Sequence, residues 1–367
     1  MLNRIENINS NLIEWAITRA GFKLEDFFSK NPKVEEWIKG NKYPTIKQLE
    51  DFTQKVHVPF GYLFLNEPPQ EELNIPFFRT GKGDANQVSL NVYHTVQMLQ
   101  ERQSWLTEYL TESGYEDLRF VESFNENDNY LEIVNSIRET LQLNKDWAKE
   151  FKTWEETLDH LTRKIEDIGI IVTFNGVVGN NTKRKIEVEE CRGFVLVNKK
   201  APFLFINSAD AKAAQMFTLI HEIAHIWLGE SAGFDNNDML PADDPIEKLC
   251  DKVAAEFLVP EMHFRELWKI TTNFKTLSRN LKVSPIVVAR RALDLKLINK
   301  PEFFEFYNSY IISFQLKKEN KASGGNFYAT AKKRVSLRFA NYVNNAVKEN
   351  NLLYRDAYRL TNLRGNT

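Results

Sequence analysis

Cysteine is nearly absent, with two in 367 residues at positions 191 and 250. That excludes a disulfide scaffold and makes the reducing cytoplasm the expected compartment. No apolar run approaches the roughly 18–20 residues that a bilayer span needs, so no membrane partner is expected. The opening Met1-Leu2-Asn3-Arg4-Ile5-Glu6-Asn7 lacks the apolar centre of a secretory signal. Repeats and low-complexity tracts are missing too, which excludes a solenoid. Charge of one sign is scarce: 48 Lys and Arg against 50 Asp and Glu leave a net −2. What is present, 43% apolar residues at a mean hydropathy of −0.43, describes a globular chain with a sizeable core. Its length predicts two or three domains.

Histidine is also scarce, six in all, yet two stand four residues apart in His221-Glu222-Ile223-Ala224-His225. Residues i and i+4 share a helix face, so both imidazoles can reach one metal ion. The intervening carboxylate then lies where an ion-activated water would need a base. The run from Ala211 to Leu228 is helix-forming and apolar on most sides, and Gly229 is its expected stop. Burying two histidines and a glutamate in such a helix is costly unless they are paired or ligate a metal.

A hydrolytic zinc site takes three protein ligands and keeps one position open. Residues 245–260 read as a second amphipathic helix with proline near each end. Glu247, at the edge of its apolar stripe, is the expected third ligand. Asp251, one turn on, is expected to accept the free ring N–H of a ligand histidine and fix its tautomer. Cys250 is an alternative ligand, though its apolar neighbours favour a buried structural thiol. Glu256 falls on another face of the helix. Asp235, Asp238, Asp243 and Asp244 read as solvated loop charges, and His263 as a surface or helix-start residue.

With these residues in view, the chain resembles the ImmA/IrrE family of metallopeptidases. The likeness runs from Gly193-Phe194 and Phe205-Ile206-Asn207 through Phe217–His225 to Glu247–Pro260. The Glu247-to-Asp251 spacing is similar to the gluzincin pattern. Asp251 stands where many members carry Asn, which keeps the hydrogen-bond role and alters the local charge. The resemblance implies a zincin-like peptidase domain holding Zn2+, with a repressor-like regulatory protein as substrate. A regulatory or antitoxin-like protein, binding a cognate toxin or DNA with a little-used metal site, is the other reading.

The expected architecture is α+β and mostly helical. Residues 1–66 read as a helical bundle with glycine stops, resembling an Xre-type helix-turn-helix domain. Its third helix, Pro32–Lys39, offers adjacent acids where base-reading side chains are needed, so DNA binding does not follow. A proline- and acid-rich linker spans 67–87. The peptidase domain covers 88–300, with a small β-sheet and a metal core at 205–262. A basic helical extension covers 301–367; its residues 315–367 hold eleven Lys and Arg against three Asp and Glu. Any attraction for nucleic acid should sit there. Tyr328, Tyr354 and Arg355 in this extension are candidate oxyanion donors, with packing as the default role. Phe203–Asn207, if an edge strand, would offer its backbone to a substrate peptide.

Overall fold

The computed structural model describes residues 4–6, 8–71, 73, 88–234, 244–318 and 332–363. The candidate donor Tyr328, the loop acids Asp235, Asp238 and Asp243, and most of the 67–87 linker lie outside the described residues. The fold is α+β and mostly helical. It divides into two compact units, Met1–Asn74 with Asp84–Val96, and a larger one containing Gln97–Thr367.

The first unit is a bundle of α1 (Ser10–Arg19), α2 (Leu24–Lys30), α3 (Pro32–Ile38) and α4 (Ile46–Val56), followed by a 3-10 turn at Phe60–Phe64. Local chemistry sets these boundaries. Asn9 caps α1, Pro32 opens α3, and Thr45 with Gln48 forms a reciprocal capping box at the start of α4. Leu12, Ile17, Phe27, Leu49, Phe52 and Val56 fill the interior. On α3, Glu35 pairs with Lys39 at 2.5 Å, and Glu36 pairs with Lys42 at 2.8 Å.

The helix α5 (Leu90–Glu112) leads into the larger unit, which continues with α6 (Tyr130–Leu141) and α7 (Trp154–Asp167). Next come the sheet strands β1 (Ile171–Asn175), β4 (Gly193–Leu196) and β5 (Phe203–Asn207), then α8 (Lys212–Leu228) and β6 (Ala232–Phe234). A separate hairpin, β2 (Val177–Val178) and β3 (Asn181–Lys185), stands between β1 and β4. Strand order is β1-β5-β4-β6, with β1 parallel to β5 and the other pairs antiparallel. Phe203–Asn207 is therefore an interior strand, hydrogen-bonded on both sides, and it has no free edge for a peptide. This corrects the edge-strand expectation. A strand buried at every position reads as one apolar run whether it lies inside or at an edge.

The helix α8 packs between the sheet and α9 (Pro245–Leu258), with α7 against it as well. Being covered on all these sides, it is buried along nearly its whole length. Gly229 ends it at φ +80°, a left-handed conformation in which an added Cβ would also meet the Glu122 side chain. Beyond α9 lie α10 (Glu261–Ile270), α11 (Phe274–Leu281), α12 (Pro285–Asp294) and α13 (Lys300–Lys318). The Arg290-Arg291 pair is engaged with its own unit. Arg290 bonds Asp294 at 2.9 Å, while Arg291 pairs with Glu256 and donates to the Val259 carbonyl closing α9.

The C-terminal helices, Leu337–Lys348 and Tyr354–Thr361, are built into this unit. Phe339 is fully buried against Trp105 and Phe203. The buried Arg102 guanidinium donates to the Leu360 and Arg334 carbonyls.

Candidate metal centre

One turn of α8 and the first turn of α9 supply the polar cluster at the centre of the larger unit. His221 and His225 project from the same face of α8, their Nε2 atoms 3.2 Å apart. Glu247 faces them, with Oε2 at 3.1 Å from His221 Nε2 and Oε1 at 3.1 Å from His225 Nε2. A tetrahedral ion with ligands at about 2.0–2.1 Å would hold its donor atoms roughly 3.3–3.4 Å apart. The three donor atoms converge at nearly that spacing, and the set of two imidazoles and one carboxylate suits a borderline-soft divalent ion. The residues fit a metal.

The turn that brings Glu247 here has its own anchor. Asp244 caps α9 by accepting the Ile246 and Glu247 backbone N–H groups at 2.8 and 3.1 Å, and Pro245 occupies the first helical position. Asp244 is thus a helix cap and not the solvated loop charge expected from the sequence. The Asp-Pro pair ahead of an amphipathic stretch was the signal that identified a cap. At the other end, Arg138 donates to the Phe257 carbonyl at 2.6 Å and Arg291 holds Val259, so α9 is braced at both ends.

Asp251 lies one turn beyond Glu247, its Oδ1 3.1 Å from His221 Nδ1. That contact leaves Nε2 on the side of the ring that faces Glu247. The Nδ1 of His225 is buried with no hydrogen-bond partner among the described residues. Cys250 is buried on the apolar side of α9 and is not among the clustered donors; burial pushes its thiol well up, as for a structural cysteine. Glu256 is occupied by Arg291, and His263 lies 4.0 Å from Glu266, outside the cluster. Tyr354 and Arg355 are not brought to the cluster. They stand on the surface of helix Tyr354–Thr361, their exposures 69% for the tyrosine and 85% for the arginine side chain.

Glu222 is fully buried, and neither carboxylate oxygen has a hydrogen-bond partner among the described residues. It fits because β4 begins with Gly193. A Cβ there would lie 2.6 Å from Thr218 Cγ2, 2.9 Å from the Phe205 carbonyl and 3.3 Å from Glu222 Oε1. The need for glycine at 193 is a tertiary requirement, and nothing in the local sequence announced it.

The electrostatics follow from burial and partners. Burial raises Glu222 well above the usual carboxylate range, the nearby Glu247 charge adds to this, and His221 opposes it. Glu247 goes the other way: burial alone would raise it, yet the hydrogen bonds from His221 and His225 hold it well below. Burial lowers His221, but its bonds to Asp251 and Glu247 prevail and its pKa is pushed up to about 10. His225 is lowered, chiefly by burial. A cavity of about 480 Å³ reaches Asp251, with Phe217, Lys248 and Lys252 also in its lining; none of His221, Glu222, His225 or Glu247 lines it.

Comparison with known families agrees with this geometry. Residues 335–367 match a domain of unknown function, DUF8813. A search of curated proteins finds no match. Residues 165–293, which carry β1 through α12 and every member of the cluster, match the IrrE N-terminal-like domain, Peptidase_M78, and so support the ImmA/IrrE assignment.

Proposed function

We propose that the chain is a zinc-dependent endopeptidase that cleaves a repressor-like regulatory protein. The observation that carries this is one buried cluster holding three convergent ligand atoms beside a carboxylate without a partner. His221, His225 and Glu247 would hold the ion. When bound, it would lower the pKa of a water toward about 7 and polarise a substrate carbonyl. Glu222 takes the proton of the attacking water and hands it to the leaving amine. Asp251 keeps His221 in the tautomer whose Nε2 lone pair faces the ion. Residues 1–66 are assigned to an Xre-type domain that recognises the target protein, since α3 presents Glu35 and Glu36, paired with Lys39 and Lys42, where base-reading side chains would be needed.

The test compares purified wild type with Glu222→Gln on candidate repressors, with metal content measured on both. Both should bind about one zinc, and cleavage should fall roughly 10²–10⁴-fold in the variant. Equal cleavage by the two proteins sinks the assignment.

One observation favours a second reading. The side chains of His221, His225 and Glu247 are no more than 4% exposed, so the centre is closed. A regulatory or antitoxin-like protein, in which a structural ion ties α8 to α9 and a cognate toxin is the partner, accommodates that closure. It predicts stoichiometric zinc without cleavage of any candidate, and a Glu222→Gln variant with unchanged partner binding.

A further inference from the structure

We propose that the cleft between the α2–α3 corner and α4 is a docking site for an acidic segment of the target protein, anchored by one apolar side chain. This deepens the reading in which residues 1–66 recognise that protein, and it rests on that reading. The cleft, about 410 Å³ in volume, lies wholly within the first unit. One wall is the corner at which Asn31 ends α2 and Pro32 opens α3, where Lys30, Lys33, Val34 and Trp37 line it. Gln48, Asp51, Phe52 and Lys55 line the other wall, spaced three and four residues apart on α4 so that they share one face. Phe27 and Phe52 back the cleft with ring centroids 6.0 Å apart, and Trp37 meets Phe52 edge-on at 6.3 Å.

The charge on this lining is one-sided. Lys30, Lys33 and Lys55 are exposed, and none has a carboxylate partner among the described residues; the acids of α3 pair with Lys39 and Lys42 instead. Lys55 Nζ donates to Asn31 Oδ1 at 2.6 Å, an amide that leaves its charge unneutralised, and stands 5.6 Å above the Phe27 ring centroid. Asp51 is the only carboxylate among the described lining residues, so three cations face one acid.

The rings and Asp51 decide among the polyanions that three lysines attract. Phe27 and Phe52 are 3% and 4% exposed and set at 90°, with Lys55 over Phe27, so neither offers a free face on which a base could stack. Asp51 repels a phosphodiester backbone and accepts a peptide N–H, a donor that a phosphodiester lacks. An apolar side chain entering between the lysine stems leaves water for aromatic and aliphatic contact, while acidic residues on either side of it reach the ammonium groups at the rim.

The experiment is fluorescence anisotropy of the full chain with a labelled peptide of about 12 residues, acidic throughout apart from one central phenylalanine, over roughly 50–200 mM salt. The peptide should bind, and more weakly as salt rises. Alanine in place of its phenylalanine should cost at least about tenfold in affinity. Lys30→Glu with Lys33→Glu should cost at least about tenfold as well and flatten the salt dependence. Both lysines are exposed, so thermal melts of that variant should match wild type. Glu222→Gln should bind the peptide as wild type does. A chain that binds it and cleaves no repressor loses the protease and keeps this surface; cleavage of a repressor without peptide binding refutes the surface alone. The proposal is overturned by no binding at about 50 mM salt and ~1 mM protein, by wild-type affinity in the lysine variant or for the alanine peptide, or by tighter binding of an oligonucleotide of equal charge. Self-association that the lysine variant abolishes overturns it too, since a second copy then fills the cleft.

Discussion

Titrating zinc into metal-free protein should release protons in a number set by the cluster. In the absence of metal, His221 carries a proton on Nε2 that is shared with Glu247, and its pKa is pushed up to about 10. The ion needs that lone pair, so the proton must leave. His225 is held below its ordinary value and Glu247 far below its own, so neither releases one near neutrality. Burial raises Glu222 well above the usual carboxylate range, and a divalent charge beside it would oppose that shift. Wild type should therefore release more than one proton per zinc near pH ~6.5, and Glu222→Gln about one. The sign follows from the raised pKa of His221. Its pair stabilises the metal-free fold fully below pH ~6.5 and is lost as pH rises through about 10. Apparent zinc affinity of Glu222→Gln should rise about tenfold per pH unit toward that value, and that of wild type more steeply. At a free zinc level of ~100 Kd, stability should increase by about 2.7 kcal/mol, a Tm increase of roughly 3–5 °C. Calorimetry in two buffers of different ionisation enthalpy counts the protons, and thermal melts give the shift. His225→Ala and Glu247→Gln should lose the Tm shift. Zinc binding with no proton release, or an undiminished shift in those variants, refutes the protonated His221–Glu247 pair.

Two substitutions test the supports of the cluster. Asp251→Ala removes the acceptor at 3.1 Å from His221 Nδ1 and should weaken zinc binding about 10–100-fold with little loss of secondary structure, read by competition with a chelating dye. Gly193→Ala drives a methyl group into Thr218 and the Phe205 carbonyl and toward Glu222, so it should cost about 1–3 kcal/mol in denaturant melts. Its cleavage defect should exceed its loss of zinc, because the displaced group is Glu222 and not a ligand.

The motif residues were legible because their placement is a local property. His221 and His225 follow from helical spacing, and Glu247 and Asp251 from the register of one amphipathic helix with proline at both ends. The capping box at Thr45 and the left-handed stop at Gly229 are local as well. What escaped depends on partners distant in sequence. Strand β5 looked the same whether interior or at an edge, and its place is set by β1 on one side and β4 on the other. Strand β6, at three residues, carries no pattern of its own. Burial also moved residues out of expected roles. Asp244, expected as a solvated loop charge, starts α9, and Arg291 holds its end.

The arrangement of carboxylates argues for chemistry over scaffolding. A cluster built only to tie α8 to α9 needs every buried polar atom satisfied, since each orphan costs free energy. Glu247 and Asp251 each reach an imidazole, and the atoms left without a hydrogen bond there, Glu247 Oε1 and His225 Nδ1, belong to groups that have another partner. Glu222 has none: it is as deeply buried, one residue from His221, and neither carboxylate oxygen has a hydrogen-bond partner among the described residues. Environment drives the two glutamates apart, Glu247 toward permanent ionisation and Glu222 toward retaining a proton. A pair of titratable groups separated in this way divides into a ligand and a proton carrier. Glycine at 193 makes room for the carrier beside the ligands. An apolar residue at 222 would pack in the same space without the desolvation cost, so the unpartnered acid is the feature that a purely structural ion leaves unexplained.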